Sequence, residues 1–195
     1  MTGSSRTIVV DPPGELREVD TRHALERIGL LNGGGRRARA ALDDVLAAPH
    51  RVMPPVLYAA SEVLTALDRP AEAAVWFYAG QLRARYDATR CTDPSAASAL
   101  GLLRDRYGEP VNRWAFADEG RVRRAAVTAV AWDRSAPHDY DHRWIALHGM
   151  RAFLPDDGGP ASVPQQEWPA LAAQVRAEYL TGLREVLREV FGPRP

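Results

Sequence analysis

Apolar positions recur at intervals of three and four along most of the chain, and proline, glycine and aspartate cut the runs. The first run places Leu25, Ile28 and Leu31 on one side of a helix starting near Thr21, a residue suited to an N-cap. Asn32-Gly33-Gly34-Gly35 ends it with residues that accept a left-handed C-terminal geometry. A second helix is expected over 36–48, with Leu42, Val45 and Leu46 inward and Pro49 closing it. Pro54 and Pro55 restart the chain, and Val56, Leu57, Ala60, Val63, Leu64 and Leu67 form one stripe. Pro70 fits the first turn of the next helix, where its missing N–H costs nothing. Asp93-Pro94 repeats the device and opens a helix through Ala97, Leu100, Leu103 and Tyr107 to Gly108.

Residues 111–116 read as an irregular or short helical connector, and Asp118 or Glu119 opens a helix carrying Val122, Ala126, Val130 and Trp132. After the break at Ser135-Ala136-Pro137, residues 140–153 are again expected to be helical. Residues 155–165 form the expected flexible loop, and 167–191 a long final helix with Leu171, Val175, Tyr179, Leu183, Val186, Leu187 and Val190. At the other end, residues 1–20 read as a tail with one short extended piece at Ile8-Val9-Val10, because Pro12-Pro13-Gly14 stops any helix. The expectation is therefore an all-α fold of antiparallel helix pairs, with residues 21–195 forming one domain.

Within that pattern, 54–87 stands out. Two helical stripes meet at Leu67-Asp68-Arg69-Pro70, and the second helix places Ala73, Trp76, Phe77 and Gly80 at spacings of three and four. This segment resembles a tetratricopeptide or Sel1-like helical hairpin, with those four residues where such repeats place alanine, an aromatic pair and a second small residue. Leu64 stands where an aromatic is common, and Asp68-Arg69-Pro70 replaces a glycine-containing turn. No second copy follows at the period a repeat array requires. The resemblance implies hairpin geometry and a protein-binding role, but carries over no binding residue. Consecutive Trp76, Phe77 and Tyr78 cannot all face one partner, so they are read first as core.

Composition narrows the function. Twenty-five basic residues balance 25 acidic ones, and 46% of the chain is hydrophobic, as in an ordinary folded protein. No basic stripe is apparent, so neither nucleic acid nor an anionic membrane is expected as a partner. All the basic residues are arginine. With so much alanine, this reads as the codon bias of a GC-rich bacterial genome, and the lack of lysine excludes Schiff-base and P-loop chemistry. Cys91 is alone, so no intrachain disulfide is expected, and the absence of a leader or apolar span leaves the cytoplasm as the expected location.

The densest chemistry lies at 137–148, where His138, His142 and His148 accompany Asp139 and Asp141. The alternatives are an acid–base or metal-assisted site using Asp139, Asp141, His142 and His148, or a charged helix start capped by Asp139 with Trp144 and Leu147 inward. On an α-helix, His142 and His148 fall on different sides, unlike the i, i+4 pair of a zinc-binding helix, and no metal site is assigned. Cys91, with Arg90 beside it and a helix start after it, has a candidate low-pKa environment, although structural cysteines are commoner.

The expected function is a non-catalytic helical protein-binding protein, either an adapter or an immunity-type inhibitor of a partner protein. Tyr140, His142, Arg143, Trp144 and His148 are its candidate contact residues, and no cofactor is implied. The alternative is a small, metal-assisted enzyme built on the same segment. The last helix has enough apolar positions to serve either the core or a homodimer interface.

Overall fold

The computed structural model describes residues 12–155 and 158–192. The expected extended piece at Ile8-Val9-Val10 lies outside the described residues, as do Asp156 and Asp157 of the expected loop. Seven α-helices follow in order: α1 Arg22–Asn32, α2 Gly35–Ala47, α3 Pro54–Ala66, α4 Pro70–Arg90, α5 Ser98–Ala115, α6 Glu119–Ser135 and α7 Trp168–Phe191. Among the described residues there is no strand, only an isolated bridge between Cys91 and Ser162. The fold class is all-α, and no helix among the described residues is long and apolar enough to cross a membrane.

Helix α4 is the hub, packing against α3, α5, α6 and α7. Its composition suits that position, because Ala73, Ala74, Ala79, Gly80 and Ala84 admit close neighbours while Phe77 and Leu82 fill the gaps. Gly80 lies against the Tyr58 ring of α3, where an added Cβ would stand 3.0 Å from Cδ2. Phe77 meets Tyr58 edge-on at 5.1 Å, and Trp76 meets Trp132 of α6 at the same separation. Phe77 and Tyr78 are buried and Trp76 is half-buried, so all three aromatics belong to the interior.

The turn between α3 and α4 explains how the hairpin closes without glycine. Asp68 takes the left-handed conformation at φ 57°, Asp68 N donates to Thr65 O, and Arg69 N donates to Leu64 O over 2.9 Å. This is a Schellman closure with aspartate at the position usually held by glycine. The described residues contain this hairpin without a second copy of it.

Several local expectations are corrected. Helix α5 does not stop at Gly108: it runs through Pro110 to Ala115. An interior proline costs about 3 kcal/mol, and here packing offsets it, through buried Val111 and Ala115 and through Tyr78 Oη donating to Asn112 Oδ1. The 140–153 stretch is not an α-helix but two 3₁₀ segments, His142–His148 and Met150–Phe153. Asp141, not Asp139, caps the first by accepting from Arg143 N. Asp93 caps a 3₁₀ turn at Pro94–Ala97 that leads into α5. At α1, Asp20 rather than Thr21 accepts from Arg22 N. Gly34 and Gly35, one and two residues beyond the α1 C-cap at Gly33, take positive φ, whereas Gly33 itself is right-handed.

Residues before α1 are not all tail-like. A 3₁₀ turn at Gly14–Glu18 buries Leu16 against Ala146, Ala152 and Ala161. Helix α7 lays Val175, Tyr179 and Leu187 on α4 and α6 and leaves Val186 and Val190 exposed.

Candidate functional site

The 137–148 segment crosses the C-terminal half of α4 as a strap, and what it crosses is charged. Arg83, Asp87 and Arg90 sit at i, i+4 and i+7 of α4, on one face, and all three are buried. Arg83 is fully enclosed. Its Nε donates to Asp133 Oδ1 of α6 over 3.0 Å, and one terminal nitrogen donates to the Ala136 and Pro137 carbonyls. The other terminal nitrogen has no hydrogen-bond partner. The guanidinium lies 4.1 Å over the Trp132 ring, which partly compensates it through the aromatic face.

Asp133 also accepts from Arg176 of α7 at 2.7 Å and meets His138 Nε2 at 3.1 Å. Burial acts to raise its carboxyl, but His138, Arg176 and Arg83 outweigh it and hold the group below its ordinary value. Asp87 takes three donors: Arg90 at 2.6 Å, Trp144 Nε1 at 2.7 Å and Tyr140 Oη at 3.3 Å. Complete burial still pushes Asp87 above the ordinary carboxylate value. Arg90 is sandwiched between Tyr86 and Trp168, 4.4 and 4.7 Å from the two rings, with its Nε unpartnered.

A buried network of this kind adds little net stability over an apolar replacement, because desolvation consumes most of the Coulombic gain. It does select one path for the strap, since any other path strands several charges in the interior.

The candidate residues are thereby given separate partners. Asp139 is exposed; its N–H donates to the His50 carbonyl and its carboxylate lies 3.7 Å from the His50 ring. Tyr140 is committed to Asp87. Asp141 caps the 3₁₀ turn and pairs with Arg143 at 2.8 Å, while Arg143 also reaches Glu15 and Glu18 before α1. Trp144 is buried, which removes it from any exposed contact surface at its Asp87 end. His148 is exposed and stands edge-on to the Trp144 ring at 5.7 Å.

His142 makes a contact with the form of a nucleophile–base pair: its Nε2 lies 2.7 Å from Ser162 Oγ, and its ring packs on Trp168. Burial, and then the charge of Arg90, lower its pKa to about 4. Removing the serine proton would create an imidazolium beside Arg90 in a half-buried site, the state this environment disfavours most. The pair therefore holds residue 162 against the strap. No group of three or more His, Cys, Asp or Glu is placed to hold a metal ion among the described residues. At Cys91, burial raises the thiol pKa, opposite to the activated state expected from its neighbours, and the following helical turn is only a four-residue 3₁₀ segment.

The outer side of the strap borders an open groove of about 480 Å³ between α1 and α5. Leu25 and Ile28 come from α1, Leu102 and Leu103 from α5, and Trp144, Leu147 and His148 from the strap. Leu25 and Leu102 are 63% and 68% exposed, more than any other large apolar side chains among the described residues. The apolar pattern places Leu25 with Ile28 and Leu31 on one side of α1 and does not single out Leu102. It also passes over Arg83, Asp87, Arg90, Asp133 and Arg176, although charges at i, i+4 and i+7 within the apolar α4 pattern are a readable signal of a polar interior face. No protein-family model matches the chain, and neither a curated protein nor a solved structure matches it.

Proposed function

We propose that this chain is a non-catalytic helical protein-binding protein, an adapter or an immunity-type inhibitor, that seats an amphipathic helix of its protein partner in the α1/α5 groove. The observation that carries the reading is the pair of highly exposed aliphatics, Leu25 and Leu102, facing across an apolar groove closed at its base by Trp144 and Leu147. A groove between two helices suits a third helix presenting apolar residues at i, i+3 and i+7. His148 at the margin supplies a polar contact, so of the five expected contact residues it and Trp144 line the groove. Tyr140, His142 and Arg143 act behind them by fixing the strap. The enzyme alternative gains little support, because Asp139, Asp141, His142 and His148 face four different sets of partners.

The test is affinity capture with the wild-type chain and a Leu25→Glu/Leu102→Glu variant, with the bound segment mapped by cross-linking. A partner helix that cross-links beside the groove and is lost from the folded variant supports the reading. Equal capture by both proteins, or cross-links confined to another face, overturns it.

A further inference from the structure

A second crevice, of about 330 Å³, opens where α4, α5, α6 and α7 meet, on the side of α5 opposite the groove: Leu102 turns toward the groove and Arg104 toward the crevice. Its polar lining is one-sided. Tyr179 Oη donates to Gln81 Oε1 at 2.8 Å and Tyr78 Oη to Asn112 Oδ1 at 3.2 Å, which orients each amide with its oxygen toward a tyrosine and its NH₂ group left as a donor. Arg85 is exposed and has no carboxylate partner among the described residues; its guanidinium stands 5.6 Å from the Tyr179 ring. Among the described residues, Arg104 has one ion-pair partner, its exposed sequence neighbour Asp105. No aspartate or glutamate lines the crevice.

Tyr58 is fully buried, and its hydroxyl has no hydrogen-bond partner. Burial raises its pKa against the opposing charges of Arg85 and Arg104, two residues that also line the crevice. The remaining wall is apolar, with Phe116, Val122, Leu183 and Val186.

We infer that this crevice binds a small amphipathic carboxylate. The carboxylate lies between Arg85 and Arg104, with the Gln81 and Asn112 amides donating to it, and the ligand's apolar portion rests on Phe116, Leu183 and Val186. Both charged groups in the lining are cationic and its two amides can donate, which selects an anion, while the apolar wall selects against a fully hydrated one such as inorganic phosphate.

Calorimetry on the full chain with 4-phenylbutyrate, 4-phenylbutanol and inorganic phosphate tests this. The expected result is saturable binding of 4-phenylbutyrate, at least about tenfold tighter than of the alcohol or phosphate, with shifts in the Arg85 and Arg104 Nε–Hε resonances. An Arg85→Gln/Arg104→Gln variant, altered only at exposed positions, should keep its melting temperature and lose about tenfold or more in affinity. Equal binding of acid and alcohol, tighter binding of phosphate, unchanged affinity in the variant, or no saturation by any probe would each overturn the assignment.

Discussion

Trp144 Nε1 donates to Asp87 Oδ2 over 2.7 Å, joining the strap to a helix 57 positions earlier in the chain. The bond makes an indole and a buried carboxylate mutually dependent: without Asp87 the indole N–H has no acceptor and Arg90 loses its counter-charge.

Replacing Asp87 therefore separates shape from charge. Asp87→Ala is expected to destabilise the protein by about 3–5 kcal/mol, the usual cost of breaking a buried ion pair from one side. Asp87→Asn keeps an acceptor for Trp144 and should cost less, about 1–3 kcal/mol. Urea unfolding of both variants measures the difference; an alanine variant within about 1 kcal/mol of wild type would mean that the network does not hold the strap.

At the α3/α4 turn, Asp68 sits at φ 57°. Glycine adopts that conformation without a Cβ penalty, so Asp68→Gly should raise stability by about 0.5–1 kcal/mol, visible as a higher melting temperature. An unchanged or lower value would show that the aspartate contributes something beyond closing the turn.

Gly149 joins the two 3₁₀ segments, and a Cβ there would stand 2.2 Å from Asp93 Oδ2. That oxygen accepts from Arg151 N, and Asp93 also accepts from the Ser95 amide and hydroxyl. Gly149 has an ordinary φ of −86°, so the conflict is with the neighbour and not with the backbone conformation. Gly149→Ala should cost about 1–3 kcal/mol, measured by thermal and urea unfolding; a neutral outcome would show that the Asp93 cap can move freely.

Acid sensitivity follows from His142. Its folded pKa is about 4 against an ordinary 6.5, so the unfolded chain takes up the proton first. The associated stability is present above pH 6.5 and is lost progressively as pH falls toward 4. Lowered Asp133 adds a loss in the same direction further into acid, whereas raised Asp87 works the other way. Between pH 7 and 5, unfolding free energies should fall by about 1–2 kcal/mol in wild type and less in His142→Gln. Identical slopes would remove His142 as the source.

Helix starts at Pro54, Pro70 and Asp118 were legible because each rests on a local device: proline in a first turn, or a side chain accepting a terminal N–H. The continuation of α5 through Pro110 was not, since the packing that offsets the proline comes from α4 in three dimensions. The strap misled for a related reason. Trp144 and Leu147 can be read at helical spacing, yet with His142 their partners are Asp87, the groove and Ser162, and those contacts stabilise a tighter and discontinuous path. The chemical residues at 137–148 drew attention to the right segment, but they said nothing of the charges on α4 beneath it.

The strap also sets an order of assembly. Its anchors reach back 53 and 57 positions through Tyr140 and Trp144, and it has no long α-helix of its own to form in advance. Hairpin α3/α4 closes locally and presents Arg83 and Asp87, and α6 brings Asp133 to Arg83, whereas the strap's anchors to Asp87 close much longer loops. Docking of the strap is then a late step in folding, and its amides should exchange with solvent by a smaller opening than those of α4. Since Trp144 also lines the groove, the groove is completed only when that step is complete.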